Sequence, residues 1–295
     1  MDWFNIIKGK ANPADHEPLE EPTLASMKAE SAFEYFSVDE KPTLLLAKGM
    51  LNVKEYGLLY SLGRSYRSKG LVLDLGSFCG ASAYCLGLGI RDSGVPLSYD
   101  TPLHCFDLFT NPNSHMSEFI NKFFYSALDV RTKELISNKV DVKSFREIFD
   151  FQTSCVSDYI EVHTGSILDI GTWEPSLEIV NVDLGKTEAL NQKLIRTFYP
   201  KIIPQGYIFQ QDILIHNHWY LLYSMYLLRD CLTLAFCQKG TGWLFQVDQT
   251  ISTARADECI RCINEIDEQS LMASHEGCLS WVPKELHPVI NGCFA

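Results

Sequence analysis

The chain has 295 residues, of which 46% are hydrophobic, 12% aromatic and 21% charged. This composition excludes an intrinsically disordered chain, and the length suits one large α/β domain with an appended helical segment, or two small domains. The formal net charge of −12 argues against a nucleic-acid partner, because proteins that bind duplexes usually carry basic surfaces. No apolar run reaches the ~20 residues of a membrane span, and the N-terminus has no signal-peptide pattern. We therefore expect a cytoplasmic protein without a membrane partner.

Residues 1–69 are predicted to form an N-terminal arm followed by a helical segment. Residues 1–22 are polar and contain three prolines, which is typical of a terminal arm that makes few contacts. Residues 25–36 and 52–66 carry apolar side chains at helical spacing, so a helix is predicted for each. These helices are candidates for pairing two subunits into a homodimer.

Residues 70–295 are predicted to form the main domain, which begins with alternating strands and helices. Short apolar runs between turn residues suit strands that are covered on both faces, as in a parallel sheet. The predicted strands are residues 71–75, 103–106, 159–162, 178–182 and 206–210, and the predicted helices between them include 81–90, 115–150 and 188–199. The long connector at about 110–150 is expected to cover a site as a helical lid insertion.

Two further predicted strands, residues 232–237 and 243–247, are separated by a short connection. Such a connection permits a hairpin but no parallel crossover, so one of the two strands must run antiparallel. The predicted fold class is therefore α/β. It is a Rossmann-like, doubly wound sheet of mostly parallel strands, closed by an antiparallel C-terminal hairpin and preceded by N-terminal helices.

The first strand of the main domain leads into a loop bounded by two glycines. Glycine permits a tight turn and a close approach of ligand to backbone, and the helix that follows offers unpaired N–H groups. A carboxylate at the end of the strand would repel a pyrophosphate, but it can accept a hydrogen bond from the ammonium of S-adenosylmethionine. The dinucleotide fingerprint G-x-G-x-x-G is absent. We therefore expect S-adenosylmethionine to be bound here by Asp74, Gly76, Ser77, Gly80 and Ser82.

Two more positions extend this predicted cofactor site. Asp107 ends the second strand, where an acidic residue commonly binds a pair of ribose hydroxyls. Gly165 and Ser166 follow the third strand and are expected beside the adenine, although Thr-Gly-Ser is also ordinary turn chemistry.

The motif VLDLGSFCGASA resembles the cofactor loop of class I S-adenosylmethionine-dependent methyltransferases, and the resemblance runs over about residues 70–247. Two later stretches, IVNVDLGKTEALNQKLIRTFYPKIIPQGYIFQQD and GTGWLFQV, are similar to the macrocin O-methyltransferase-like branch. That branch methylates sugar hydroxyls on natural products. The resemblance therefore implies O-methylation of a small-molecule or glycan acceptor.

The resemblance also implies a metal and a base at the ends of strands four and five. The branch has Asp-Gly-Asp and Asp-Asp there; three of these carboxylates bind magnesium and another serves as the base. This chain has Asn181-Val182-Asp183 and Gln211-Asp212. Because magnesium prefers charged oxygen ligands, we expect Asp183, Asp212 and Asn181 to hold it weakly at best.

Candidates for the general base lie in the same two segments. Asp183 is the first candidate, since an alcohol acceptor must lose a proton; its alternative role is to cap the following helix. His216 and His218 follow the fifth strand closely, and imidazole accepts a proton near neutral pH. Their alternative role is that of polar loop residues before the next helix.

Two other functions remain open at this point. The amides at positions 181 and 211 favour a catalytically inactive S-adenosylmethionine-binding or scaffold module. A nicotinamide-dependent reductase would use a similar sheet, but the missing glycine fingerprint disfavours it.

Overall fold

The computed structural model describes residues 34–110, 144–214, 218–237, 240 and 242–293. Seven strands form one sheet in the spatial order β3-β2-β1-β4-β5-β7-β6. The strands are β1 (Leu71–Leu75), β2 (Leu103–Asp107), β3 (Ile160–Thr164), β4 (Leu177–Val182), β5 (Ile202–Gln210), β6 (Leu232–Phe236) and β7 (Trp243–Val247). Strands β1 to β5 pair in parallel, whereas β7 pairs antiparallel with both β5 and β6.

Eight α-helices of the described residues flank this sheet. They are α1 (Val53–Arg64), α2 (Ala81–Ser93), α3 (Arg146–Thr153), α4 (Glu188–Thr197), α5 (Trp219–Leu227), α6 (Thr253–Asn264), α7 (Glu268–Trp281) and α8 (His287–Cys293). Short 3-10 helices at Pro42–Leu46, Ser154–Tyr159, Ile167–Asp169, Tyr199–Lys201 and Lys284–Leu286 complete the described elements.

The central strands are buried on both faces, so each carries apolar side chains toward two helical layers. Leu73 of β1 faces the cluster that includes residues of α4, α5, α6 and α7. Val72 faces the opposite cluster, which includes residues of α1, α2 and α3. Alternation along β1 therefore decides that Asp74, like Val72, points toward α2.

Helix α1 begins with a capping box. The side chain of Asn52 accepts hydrogen bonds from the backbone of Lys54 and Glu55, and the Glu55 carboxylate accepts one from the Asn52 backbone. Glu55 also accepts a hydrogen bond from the Gly242 backbone at 2.9 Å, which ties the helix to the start of β7. Because α1 also shares its core with β1 and β4, the division of the chain at residue 70 stays a prediction.

The structure confirms the predicted fold class and all seven strands, with shifts at their ends. The largest shift is at β5, which starts at Ile202 rather than at residue 206. The predicted helices at residues 52–66, 81–90 and 188–199 correspond to α1, α2 and α4.

Other predicted helices fall partly or wholly outside the described residues. Of the helix predicted at 25–36, only residues 34–36 are described, and they are not helical. Of the predicted lid, residues 111–143 lie outside the described part of the chain, and α3 follows them. Helices α6 to α8 were not predicted, although the buried residues of α6 have helical spacing, namely Ala256, Cys259, Ile260 and Ile263.

Candidate functional site

The loop between β1 and α2 is shaped by its two glycines. Gly76 and Gly80 both have φ of +93°, a conformation that side chains with a Cβ rarely adopt. A Cβ on Gly76 would lie 3.0 Å from the carbonyl carbon and oxygen of Asp183. The loop therefore crosses the end of β4 at a distance that only glycine permits.

Helix α2 begins at this loop without a side-chain cap. Gly80 is its N-cap residue, and no side chain hydrogen-bonds to the first turn. The unpaired N–H groups of a helix start attract an anionic group. A small cavity of about 20 Å³ lies at this helix start and is lined partly by Gly76, Ser77, Ser82 and Asp183. These four predicted site residues are thus brought together.

Asp74 is completely buried behind this loop and belongs to a chain of hydrogen bonds. One carboxylate oxygen accepts from the Ser82 hydroxyl at 2.8 Å, and the other accepts from the Asn181 amide at 2.6 Å. The Asn181 oxygen in turn accepts from the Gln211 side chain at 2.9 Å. Register explains the contact, because Asp74 and Asn181 are partners in the pairing of β1 with β4.

The predicted role of Asp74, to accept a hydrogen bond from a ligand ammonium, stays a prediction. In this structure its carboxylate has 0% exposure and does not line the cavity. Burial raises the pKa of Asp74, and the hydrogen bonds from Asn181 and Ser82 counteract part of that rise. Its observed contacts hold the loop, α2 and β4 together.

Asp107 lies at the end of β2 and faces the same loop. Its carboxylate accepts hydrogen bonds from the backbone N–H of Phe78 at 2.9 Å and of Phe109 at 2.8 Å. Burial raises the pKa of Asp107. The Leu108 backbone also hydrogen-bonds to this carboxylate. Since a carboxylate has about four acceptor positions, these three bonds leave capacity for a further donor.

Gly165 and Ser166 lie at the end of β3, next to the end of β2. The Gly165 backbone donates to the Asp107 carbonyl at 3.0 Å, which places the turn beside Asp107. Ser166 accepts a hydrogen bond from the Leu168 backbone and caps the short helix Ile167–Asp169. The Ser166 hydroxyl is therefore already used for local structure.

Asp183 and Asp212 are joined by Lys186, a residue that the sequence prediction missed. The ammonium of Lys186 lies 2.9 Å from Asp183 Oδ1 and 2.7 Å from Asp212 Oδ2. Burial raises the pKa of Asp183 to about 7, with the positive charge of Lys186 acting against the rise and the negative charge of Asp212 adding to it. The sequence did contain one signal for this ion pair, namely the spacing of three residues between Asp183 and Lys186.

The predicted magnesium ligands do not fit a magnesium site. Lys186 already places a positive charge between Asp183 and Asp212. The side-chain nitrogen of Asn181 donates a hydrogen bond to Asp74, and its side-chain oxygen accepts one from Gln211. The amide at position 181 therefore serves the buried network, and no chemical step is assigned to a metal here.

Of the two predicted histidines, His216 lies outside the described residues. His218 precedes α5, and its Nε2 donates to the Lys186 carbonyl at 3.1 Å. In a neutral ring, Nδ1 then carries the lone pair. His218 is thus placed next to the loop that contains Asp183 and Lys186.

Phe78 is a second residue that was not among the predicted site residues. It occupies the middle of the glycine loop with φ of +45°, a strained conformation for a bulky residue. Its ring packs edge-on against Phe145 at 5.0 Å between centroids, and it also lines the cavity. A cavity of about 20 Å³ holds roughly one water molecule, so a larger ligand requires these walls to move.

Comparison with known proteins finds similarity in three dimensions only. No protein-family model and no curated protein matches the chain. The O-methyltransferase NovP is 16% identical with a TM-score of 0.46, over 66% of this chain and 81% of that chain. An rRNA methylase from Streptococcus thermophilus is 12% identical with a TM-score of 0.40, over 68% and 100%. The Podospora anserina methyltransferase PaMTH1, solved with SAH bound, is 14% identical with a TM-score of 0.39, over 68% and 80%.

At these identities the likeness concerns the fold alone, and the strand order carries the assignment. An antiparallel β7 lies between β5 and β6 in an otherwise parallel sheet that begins β3-β2-β1-β4. The chain therefore has a Rossmann-like fold of mostly parallel strands with an antiparallel C-terminal hairpin, as predicted. Among the described residues, no helix is long and apolar enough to span a membrane.

Proposed function

We propose that this protein is an S-adenosylmethionine-dependent methyltransferase that methylates a hydroxyl on a sugar or small natural-product acceptor. The observation that carries the proposal is the uncapped start of α2, reached through a glycine loop between Asp107 and Asp183. This arrangement offers N–H groups for an anion and a carboxylate for a hydroxyl pair at the carboxyl edge of the sheet.

Different residues in and around the loop would bind different parts of the cofactor. The N–H groups in the first turn of α2 would bind its carboxylate. Asp107 would bind its ribose hydroxyls, and Gly165 would lie beside its adenine. When bound, S-adenosylmethionine supplies an activated methyl group on its sulfonium. Binding requires the wall that contains Phe78 to move, because the present cavity is too small.

The chain's own contribution to the reaction is the control of the acceptor proton. Asp183 lines the cavity and keeps 24% of its side chain exposed, so an acceptor hydroxyl can reach it. Lys186 stabilises the ionised form of Asp183, which is the form that accepts a proton. His216 and His218 are the alternative bases, and His218 lies beside the carbonyl of Lys186.

The acidic character of the chain favours a small acceptor over nucleic acid. The net charge is −12, and a polyanion would have to approach a site that contains Asp107, Asp183 and Asp212. A homodimer formed through the N-terminal helices remains part of the proposal.

A second candidate function is a binding module without turnover. Two observations favour it: the narrow cavity, and the amides Asn181 and Gln211, which the buried network uses in place of carboxylates. A module of this kind would bind the cofactor but would lack an ionised base beside an acceptor.

Calorimetric titration with S-adenosylhomocysteine and with NAD tests the cofactor, and S-adenosylhomocysteine production with a panel of glycosides tests the reaction. We expect S-adenosylhomocysteine to bind and NAD not to bind. Asp107→Ala should weaken binding by roughly tenfold or more, the effect of 1.4 kcal/mol or above, while the exposed control Asp158→Ala should not change it. Asp183→Asn should retain binding and lose turnover.

Three results separate the candidate functions. Binding of NAD instead of S-adenosylhomocysteine would favour a reductase. Binding without turnover on any acceptor would favour the binding module. Unchanged turnover in Asp183→Asn would exclude Asp183 as the base and leave the two histidines.

A further inference from the structure

Two histidines and a glutamate meet on one face of the sheet, at its edge. His104 of β2 pairs with Glu161 of β3, and Phe106 pairs with His163. Because side chains two apart on a strand share a face, His104, Glu161 and His163 all project to the same side. One potential ligand atom from each lies within 4.8 Å of the others, and the cluster contains none of the residues proposed to bind the cofactor.

We propose that His104, Glu161 and His163 form a site for a divalent transition-metal ion of the zinc class. Imidazole and carboxylate are ligands that such ions accept, and three protein ligands leave the fourth position for water. The proposal is independent of the methyltransferase function.

The distances fit this ion. His104 Nδ1 lies 2.9 Å from His163 Nε2, and His163 Nε2 lies 3.6 Å from Glu161 Oε1. Zinc–nitrogen bonds of 2.0–2.1 Å in a tetrahedron separate neighbouring ligand atoms by about 3.3 Å. The two observed distances lie on either side of that value. Glu161 Oε2 lies 3.7 Å from Nε2 of His104, the other nitrogen of that ring, so rotation of the His104 ring and the Glu161 carboxylate would complete the geometry.

Neighbouring groups hold the three ligands in place. The ring of Phe106 stacks on His163 with centroids 4.2 Å apart, and Trp173 contacts His104 edge-on at 5.8 Å. Thr101 hydrogen-bonds through its hydroxyl to Glu161 at 3.4 Å and through its backbone to His104. Support of this kind is typical of groups around metal-binding histidines.

The site is accessible from solvent. The side chains of His104, His163 and Glu161 are 12%, 31% and 51% exposed, so an ion can enter. The two rings share one hydrogen bond, and binding requires only that the donor ring adopt its other tautomer, with no net loss of a proton.

A metal at this position would join β3, at the edge of the described sheet, to its neighbour β2. The ion would then stabilise the folded protein in proportion to its free concentration. We expect this structural effect in the absence of any cofactor.

The test is titration of the chelator-treated full chain with Co²⁺, followed by its visible d–d absorption, and with Zn²⁺, followed by calorimetry and thermal unfolding. We expect one equivalent to bind and to raise the Tm. His163→Gln should weaken binding by at least the 10- to 100-fold typical of changes around a metal site. Glu161→Gln changes a half-exposed side chain and should weaken binding less. The control His275→Gln should leave binding unchanged.

Four outcomes would overturn the proposal. These are an absence of saturable binding, equal affinity in the wild type and in Glu161→Gln, equal affinity in the wild type and in a folded His163→Gln, and a sulfur-to-cobalt charge-transfer band. The last would assign the ion to cysteine thiolates such as the exposed Cys155. If His163→Gln does not fold, Glu161→Gln decides the result.

Discussion

At the scale of single residues, the amide at position 181 determines which hydrogen bonds are made at the end of β4. Asn181 donates to the buried carboxylate of Asp74 at 2.6 Å and accepts from Gln211. A carboxylate at the same position has no proton to donate when it is ionised. The chain therefore uses an amide where its resemblance to the O-methyltransferase branch led us to expect an acid.

Asn181→Asp should destabilise the protein by about 3 kcal/mol at pH 8, because it places two carboxylates in contact in the interior. The pair can share one proton, so the folded-state pKa rises above the unfolded value of about 4. A raised folded pKa makes the loss grow as pH rises and shrink toward pH 5. Urea unfolding at pH 5 and pH 8 measures this difference.

Asn264→Asp is the matched control, since Asn264 is exposed and only its side-chain oxygen is used, as the acceptor for Gln192. It should change stability by less than about 0.5 kcal/mol. A loss of equal size at both pH values in Asn181→Asp would contradict the shared-proton explanation.

The group formed by Asp183, Lys186 and Asp212 predicts a pH dependence for the proposed reaction. Because the pKa of Asp183 is raised to about 7 and a base must be ionised, the single-turnover rate should rise as pH increases through about 7. Lys186→Met removes the opposing positive charge and should move this rise to higher pH. Single-turnover assays between pH 5.5 and 9 measure this dependence, because that range extends well below and above the pKa of Asp183.

Lys284→Met, at an exposed position, serves as the control and should leave the profile unchanged. A rate that does not depend on pH in the wild type, or a profile that Lys186→Met leaves in place, would argue against Asp183 as the titrating base.

At the scale of elements, helices α1 and α2 cross at two glycines. A Cβ on Gly63 would overlap the Leu86 carbonyl and lie 2.9 Å from the Gly89 Cα. A Cβ on Gly89 would lie 2.7 Å from the Arg64 backbone nitrogen. The backbones are therefore in direct contact, and this contact positions α2, whose N-terminus forms the candidate site.

Gly63→Ala should destabilise the protein by about 2 kcal/mol. The added methyl group meets backbone atoms that cannot rotate away, which costs about 1–3 kcal/mol, and this exceeds the gain of up to about 1 kcal/mol in helix propensity. Urea or thermal unfolding measures the change. Gly171→Ala is the control, because no atom lies within 4 Å of the new methyl group. Equal stability of the two variants would show that the helices can separate without cost.

At the scale of the whole molecule, the sheet separates two large apolar clusters, and the glycine loop crosses between β1 and β4 at its centre. A ligand that binds this loop contacts the residues that follow β1 and β4 and the start of α2. Because such a ligand binds only the folded chain, it should stabilise the entire cooperative unit.

S-adenosylhomocysteine at 100 times its Kd should stabilise the protein by about 2.7 kcal/mol. At about 2–4 °C per kcal/mol, this corresponds to a rise in Tm of roughly 5–10 °C. Gly76→Ala should abolish the shift, because a Cβ there would lie 3.0 Å from the Asp183 carbonyl and distort the loop. Differential scanning calorimetry provides the measurement. A shift of the same size with NAD, or one that Gly76→Ala retains, would contradict the proposed site.

The sequence by itself determined the architecture of the described sheet. Short apolar runs between turn residues located the strands, because a strand covered on both faces carries mostly apolar side chains. The short connection before β7 required an antiparallel neighbour, because a parallel crossover needs many more residues. Glycines in the loop after β1 marked a turn that other residues cannot make.

Only the tertiary structure decided what the polar residues of that loop and of the strand ends do. Asp74 contacts Asn181, 107 positions away in sequence, because strand order and register place them side by side, and neither is visible in local spacing. The same holds for Lys186 between Asp183 and Asp212, and for His104 against His163 across two strands. Local patterns determine which segments form strands and helices, whereas side-chain chemistry depends on which segments become neighbours.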